Sequence, residues 1–272
     1  MLRSTRREVL KQIKLSGTHQ SNGGRARTAP TALPLRAMFN PRPTLTALPL
    51  FDGHEALVID NALLDPARWV EVATQQRDRF EPPPWPYPGI EAPLPDDVSA
   101  LLGEFFAAHA RRRLGGRRTL SIKARLSLAT RAPHELSARQ WFCHRDSQSL
   151  VEGQCIAASV LYLFHDAGLG GTGFYKPRRS AHDTALLVHD ASTLTDTEFA
   201  RAHPDIAPGY MTEGNAWFER VAGVDARWNR IVFYDGSLFH SADLHHPERL
   251  AADPASGRLT VNGFFTCRRV AA

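Results

Sequence analysis

His144-Arg145-Asp146 packs the most chemistry into the least chain. With a single residue between them, the imidazole and the carboxylate leave the same face of an extended backbone and can reach one ion. One histidine and one acid make an incomplete metal site. The chain offers a third donor at His240, which follows Arg230-Ile231-Val232-Phe233-Tyr234-Asp235-Gly236 in a strand–turn–strand context. Two histidines and a carboxylate on one face of a metal leave its other positions open to small ligands, the donor set preferred by non-haem Fe(II) oxygenases.

Further along, Arg258-Leu259-Thr260 opens a strand in which the guanidinium and the hydroxyl face the same way. That pairing suits a bidentate clamp on a carboxylate. Between the two histidines lie an apolar strand, Gln154 to Phe164, that passes through Leu161-Tyr162-Leu163, and the run Gly170-Gly171-Thr172-Gly173-Phe174-Tyr175.

On these residues the chain resembles the Fe(II)/2-oxoglutarate-dependent dioxygenases, and within them the prolyl-4-hydroxylase-like branch. The likeness covers about residues 127–269 and rests on five parts in the family's order: H-x-D, the Tyr-Leu strand, Gly-Gly before an aromatic, a distal His, and Arg-x-Thr. It implies a mainly β fold with flanking helices, a cupin-like double-stranded β-helix or jelly roll. By the same resemblance His144, Asp146 and His240 bind iron, Arg258 pairs with the distal carboxylate of 2-oxoglutarate, and Tyr162 and Thr260 hydrogen-bond that carboxylate. The implied reaction is hydroxylation of a small molecule, or of an amino-acid or protein side chain, with decarboxylation of 2-oxoglutarate to succinate. The spacings between His144 and His240 and between His240 and Arg258 are longer than usual. Residues 178–214 are therefore expected as a lid or substrate loop and residues 244–257 as an extra loop. The Gly-Gly motif also lacks the usual Glu-Thr order. The chain is similar, too, to a bacterial group of uncharacterised proteins beginning Met-Phe-Asn-Pro, as Met38 to Pro41 read here.

Blander readings stand beside these. His-Arg-Asp also occurs in protein-kinase catalytic loops, but no D-F-G, Gly-rich loop or strand lysine accompanies it. His240 alone reads as a satisfied core histidine beside Phe239, Tyr162 as a packed aromatic, Arg258 as a strand-edge charge and Gly170-Gly171 as a turn. Two rival functions follow: a catalytically silent jelly roll that binds a metal or ligand, and a zinc hydrolase with Glu213 or Glu219 as base, which gives Arg258 no role.

The rest of the chain must position these groups. At 272 residues and 43% apolar composition it can bury a sizeable core. Eight of 33 Lys/Arg and one of 28 acids fall in residues 1–37, leaving 25 and 27 beyond, a net of −2. The overall charge of +5 is thus confined to a basic extension, expected to be disordered, and carries no suggestion of nucleic-acid binding. A targeting peptide, a basic arm and a translation mis-started upstream of Met38 are the readings open for it, and the last fits the abrupt change best. Residues 38–272 are expected to form one domain. Three cysteines without C-x-x-C spacing point to free thiols in a reducing, cytoplasmic setting. No apolar run approaches the ~20 residues of a membrane span. Such folds often form homodimers.

Strand periodicity is strongest at Thr119 to Ala129, where Leu120, Ile122, Ala124 and Leu126 alternate with Ser121, Lys123, Arg125 and Ser127. Other strands are expected at 56–60, 139–144, 173–176, 215–221, 230–234 and 259–266. Helices are expected from Pro66 to about Arg79, from about Val98 to Arg113 with Asp96, Asp97 or Ser99 as cap, and at 193–202 with Thr195 as cap. Pro82 to Pro88, with Trp85 and Tyr87, is expected as a Pro/aromatic loop lying on the surface or over a site.

Overall fold

A computed structural model describes residues 38–146 and 150–270. The basic extension at 1–37 lies outside the described residues. In chain order the strands and helices are β1 (Leu45–Pro49), β2 (Glu55–Ile59), α1 (Pro66–Gln75), β3 (Gly89–Pro93), α2 (Asp96–His109), β4 (Gly116–Ala129), β5 (Gln154–Tyr162), β6 (Thr172–Pro177), α3 (Ala181–Thr193), α4 (Asp196–Ala202), β7 (Phe218–Val224), β8 (Arg230–Asp235), β9 (Phe239–Ala242) and β10 (Arg258–Arg269). The fold is mainly β, as expected, with two antiparallel sheets and four α-helices among the described residues. None of these helices is long and apolar enough to cross a membrane.

The larger sheet has seven strands in the order β1-β2-β8-β5-β10-β4-β3, and the smaller has three, β7-β6-β9. Because successive side chains alternate faces, each strand of the large sheet serves two layers. On its outer face Ala124, Leu126 and Leu128 of β4, Leu161 of β5, Phe233 of β8 and Phe265 of β10 pack against Leu102, Phe105 and Phe106 of α2 and Trp69 and Ala73 of α1. Phe106 stacks on Phe265 with ring centroids 4.0 Å apart and meets Phe233 at 5.7 Å. Burying each such ring contributes roughly 2–3 kcal/mol, so α2 is fixed by its aromatic face. The inner face turns Tyr162, Val232 and Tyr234 toward Phe174 and Val224 of the small sheet. A third cluster covers the small sheet's far side, where Tyr175, Phe218 and Phe239 meet Leu187 and Ala191 of α3 and Phe199 of α4. The layers run helix, sheet, sheet, helix.

Local chemistry explains most element ends. Asp65 caps α1 by accepting from the Arg68 N–H at 3.2 Å, and Pro66 stands at the first helical position. Thr195 caps α4 in a reciprocal box with Glu198. α2 departs from expectation: Pro95 occupies its cap without a side-chain bond, and Asp96 and Asp97 lie inside the first turn, where their charge favours the helix dipole.

Two expectations fail. Residues 139–144 are not a strand. Ala138–Gln140 is a 3-10 turn, and Trp141, Phe142 and Cys143 are buried in the α3/α4 cluster, so the run is apolar because of helix packing. Within 178–214, expected as a loop, α3 forms behind a Ser180 cap that accepts from the Asp183 N–H at 3.1 Å. Cys143, Cys155 and Cys267 are free and buried.

Candidate metal centre

His144 and His240 meet across an isolated antiparallel bridge on the open edge of β9, whose other edge pairs with β6. Two residues on, the Asp146 N–H donates to the Gly236 carbonyl at 2.8 Å in the β8–β9 turn. Gly236 makes room for the acid, since a Cβ there would lie 3.1 Å from Asp146 Oδ2. One ligand atom from each of His144, Asp146 and His240 falls within 4.8 Å of the others. His144 Nε2 is 4.0 Å from Asp146 Oδ1, and His240 Nε2 is 3.6 Å from Oδ2, both too long for hydrogen bonds. Asp146 Oδ2 is buried without a hydrogen-bond partner among the described residues. A carboxylate oxygen so placed, flanked by two imidazole nitrogens, is the condition a bound cation would relieve.

Protonation favours the same use. His240 Nδ1 faces the Leu238 carbonyl at 2.9 Å, an acceptor, so that nitrogen carries the proton and Nε2 keeps its lone pair for a ligand. Burial lowers the His240 pKa to about 4. The His144 side chain is 58% exposed on the cavity side; the part of its ring that protein encloses, and His240 beside it, lower its pKa, and solvent weakens both effects. Burial raises Asp146 to about 6, against the pull of His144.

The three donors open on a cavity of about 540 Å³ between the sheets, roofed by Val188, Ala191 and Ser192 of α3. Arg258 lines it as well and is itself buried. Its Nε donates to the Leu169 carbonyl at 2.9 Å and its Nη2 to the Gly171 carbonyl at 2.9 Å, which leaves Nη1 without a partner among the described residues. Tyr162 and Thr260 are fully buried outside the cavity lining. The Tyr162 hydroxyl lies 2.7 Å from Thr172 Oγ1, and Thr260 Oγ1 donates to the Ser127 carbonyl at 3.4 Å. The structure thus brings His144, Asp146, His240 and Arg258 to one cavity, with Tyr162 and Thr260 behind its wall.

Of the two positions left open for the Pro/aromatic loop, on the surface or over a site, the structure shows the second: Trp85, Pro86, Tyr87 and Pro88 line the cavity. Other lining groups went unremarked in the sequence. Glu91 of β3 accepts from Ser127 Oγ at 2.9 Å, from Arg125 Nη1 at 2.9 Å and from Trp85 Nε1 at 3.0 Å. Ser127 has spent its one proton on Glu91 and accepts from Asn262 Nδ2 at 3.1 Å. Asn262 Oδ1 is buried without a partner among the described residues, and the Tyr87 hydroxyl is buried beside Ser127. The period-two pattern of β10 would have indicated Asn262, because it shares a face with Arg258 and Thr260.

The model of a family of unknown function, DUF6445, matches residues 41–265. The chain belongs to that family. No curated protein matches this DUF6445 chain. Among solved structures it is similar to SnoN, a non-heme alpha-ketoglutarate-dependent epimerase from nogalamycin biosynthesis, at 12% identity over 79% of this chain and 81% of that one, with a TM-score of 0.42. Apo HygX from Streptomyces hygroscopicus is similar at 14% identity over 79% and 83%, TM-score 0.42. An N-substituted L-amino acid dioxygenase from Burkholderia ambifaria gives 11% identity over 77% and 81%, with a TM-score of 0.33.

Proposed function

We propose that this cavity is the centre of an Fe(II)/2-oxoglutarate-dependent oxygenase on a double-stranded β-helix, one that hydroxylates a small-molecule or amino-acid substrate. The observation that carries the reading is the convergence of His144, Asp146 and His240 on one point of a cavity that also holds the buried guanidinium of Arg258. Two imidazoles and one carboxylate are a donor set that suits Fe(II) and leaves coordination positions open. The facing sheets, with the His144 bridge acting as a further strand of the smaller one, support the jelly-roll description. Membership of the prolyl-4-hydroxylase-like branch rests on the order of the sequence motifs alone.

In this reading His144, Asp146 and His240 hold the metal, and Arg258 presents Nη1 to the far carboxylate of 2-oxoglutarate. Fe(II) held there would supply the oxidising chemistry with dioxygen as the oxidant, two of the four electrons it takes coming from 2-oxoglutarate, which leaves as succinate and carbon dioxide, and two from the substrate C–H bond that becomes C–OH. The chain's own part is to position and enclose. Leu169 and Gly171 fix the guanidinium, Leu238 sets the His240 tautomer, and α3 with the Pro/aromatic loop limits water. Tyr162 and Thr260 serve behind the wall, Tyr162 by setting the rotamer of Thr172, which lines the cavity.

The test is anaerobic titration of the Fe(II)-loaded protein with 2-oxoglutarate, read by the weak visible charge-transfer band of a chelated 2-oxo acid. Appearance of the band in wild type and its loss in Arg258→Gln supports the oxygenase. Iron binding without any band rejects it in favour of a silent metal-binding protein.

A further inference from the structure

Charge is unevenly placed in this chain. Residues 38–272 carry a slight acidic excess, yet the cavity is lined by four arginines, Arg125, Arg139, Arg145 and Arg258, against two carboxylates, Glu91 and Asp146. Most of these charges are accounted for. Arg125 pairs with Glu91 at 2.9 Å and is held between the rings of Trp85 and Phe264, 4.3 and 4.8 Å from their centroids. Arg258 and Asp146 belong to the cosubstrate and metal ends of the proposed centre. A divalent cation and a dicarboxylate would cancel one another. Two guanidiniums remain. Arg139 and Arg145 are exposed and have no carboxylate partner among the described residues, and Arg145 lies over the Phe239 ring at 4.6 Å. Both sit beside the metal-ligand segment, Arg145 between His144 and Asp146 and Arg139 on the 3-10 turn that leads into it.

We propose that the substrate of this site is a small organic anion, a carboxylate or a phosphate ester, with its charged end held by Arg139 and Arg145 and its apolar part against Trp85 and Val188. The inference deepens the oxygenase reading and rests on it. Two guanidiniums that line one cavity without carboxylate partners among the described residues match a planar carboxylate or a phosphate by charge and by their forked donors. Trp85 and Val188 are the large apolar side chains of the lining that remain exposed, at 47% and 37%. The cavity volume of about 540 Å³ suits a small molecule of that kind. Phosphate and carboxylate share the recognition chemistry, and the experiment separates them.

The metal-free full-length protein is titrated into 1-naphthyl phosphate, 1-naphthoate and the neutral 1-naphthamide, with binding read from the anisotropy of the naphthyl fluorescence. At least one anion should bind about tenfold more tightly than the amide, and the tighter of the two identifies the headgroup. That preference should vanish in the doubly substituted Arg139→Gln/Arg145→Gln protein. Equal binding of all three probes overturns the proposal, as does an anion preference that survives the double substitution, which would place the anion at Arg258. Because the titration needs no metal, its failure is distinct from failure of the oxygenase reading, which is decided by the charge-transfer band.

Discussion

His144 and His240, far apart in the chain, exchange both backbone hydrogen bonds, N–H to carbonyl at 2.9 and 2.8 Å, and bring their rings to 4.4 Å. The bridge sets the spacing of the two imidazoles through main-chain geometry. Their convergence is therefore a property of strand pairing.

Removing either ring should leave this pairing intact while deleting a donor. His144→Ala and His240→Ala are expected to weaken Fe(II) or Ni(II) binding by more than about 100-fold, a larger loss than outer-sphere substitutions cause. Anaerobic calorimetry on the purified proteins checks this, and wild-type metal occupancy in either variant would reject the ligand assignment.

The site also predicts how the metal-free protein responds to acid. His240 titrates at about 4 in the fold against 6.5 ordinarily and His144 is lowered in the same direction, so between those values the unfolded chain binds protons that the native state refuses. Their contribution to stability is complete above 6.5 and is lost as pH falls toward 4. Asp146, raised from 3.8 to about 6, acts in the opposite sense, since the native state holds its proton in that window. The buried His240 sets this dependence, the largely exposed His144 adds a smaller part, and stability should decline modestly on acidification. Urea midpoints of chelator-treated protein, taken between about pH 7 and pH 4.5, should show a shallower decline in His240→Ala. A slope equal to wild type would mean that the fold does not hold this ring neutral.

Arg258 has a structural duty apart from any ligand. Its Nε and Nη2 satisfy carbonyls of the turn before β6, so Arg258→Ala strips partners from buried backbone and should cost about 2–4 kcal/mol in a denaturant titration. Arg258→Lys keeps the charge but loses the forked geometry and should recover only part of this. Wild-type stability in Arg258→Ala would show that water replaces the side chain without penalty.

The same turn depends on Gly170. Its φ of 77° is in the left-handed region, and an added Cβ would fall 1.8 Å from the Asp243 carbonyl oxygen. Backbone strain of about 1–2 kcal/mol comes before the clash is relieved, so Gly170→Ala should destabilise by roughly 3 kcal/mol or more. If the site is the proposed oxygenase, 2-oxoglutarate affinity should fall with it, because the turn's carbonyls aim Arg258. A variant as stable as wild type would refute the packing described for this turn.

What could be read from the sequence was local. The alternation along β4, the Asp65-Pro66 and Thr195 helix starts, and His144-x-Asp146 all express short-range rules; Ala124 and Leu126 are buried as the alternation requires, whereas Leu120 is exposed and Ile122 half-buried where β4 begins. Trp141-Phe142-Cys143 misled because a buried apolar run looks the same whether it pairs in a sheet or lies under helices. In α3, Ser180 and Asp183 with Leu187 and Ala191 one turn apart held a helix signal, but an apolar face this narrow is easily passed over in a polar segment. Arg258 was legible as a cation facing inward. Its grip on Leu169 and Gly171 was not, since a backbone carbonyl has no residue type to announce it.

The cavity wall draws on both sheets. His144 and His240 sit on the edge of the small one and Arg258 on β10 of the large one. Any molecule gripped at both ends is a strut between two layers otherwise joined by side-chain packing, so occupancy should be felt far from the chemistry, as slower amide exchange along β6 and β9.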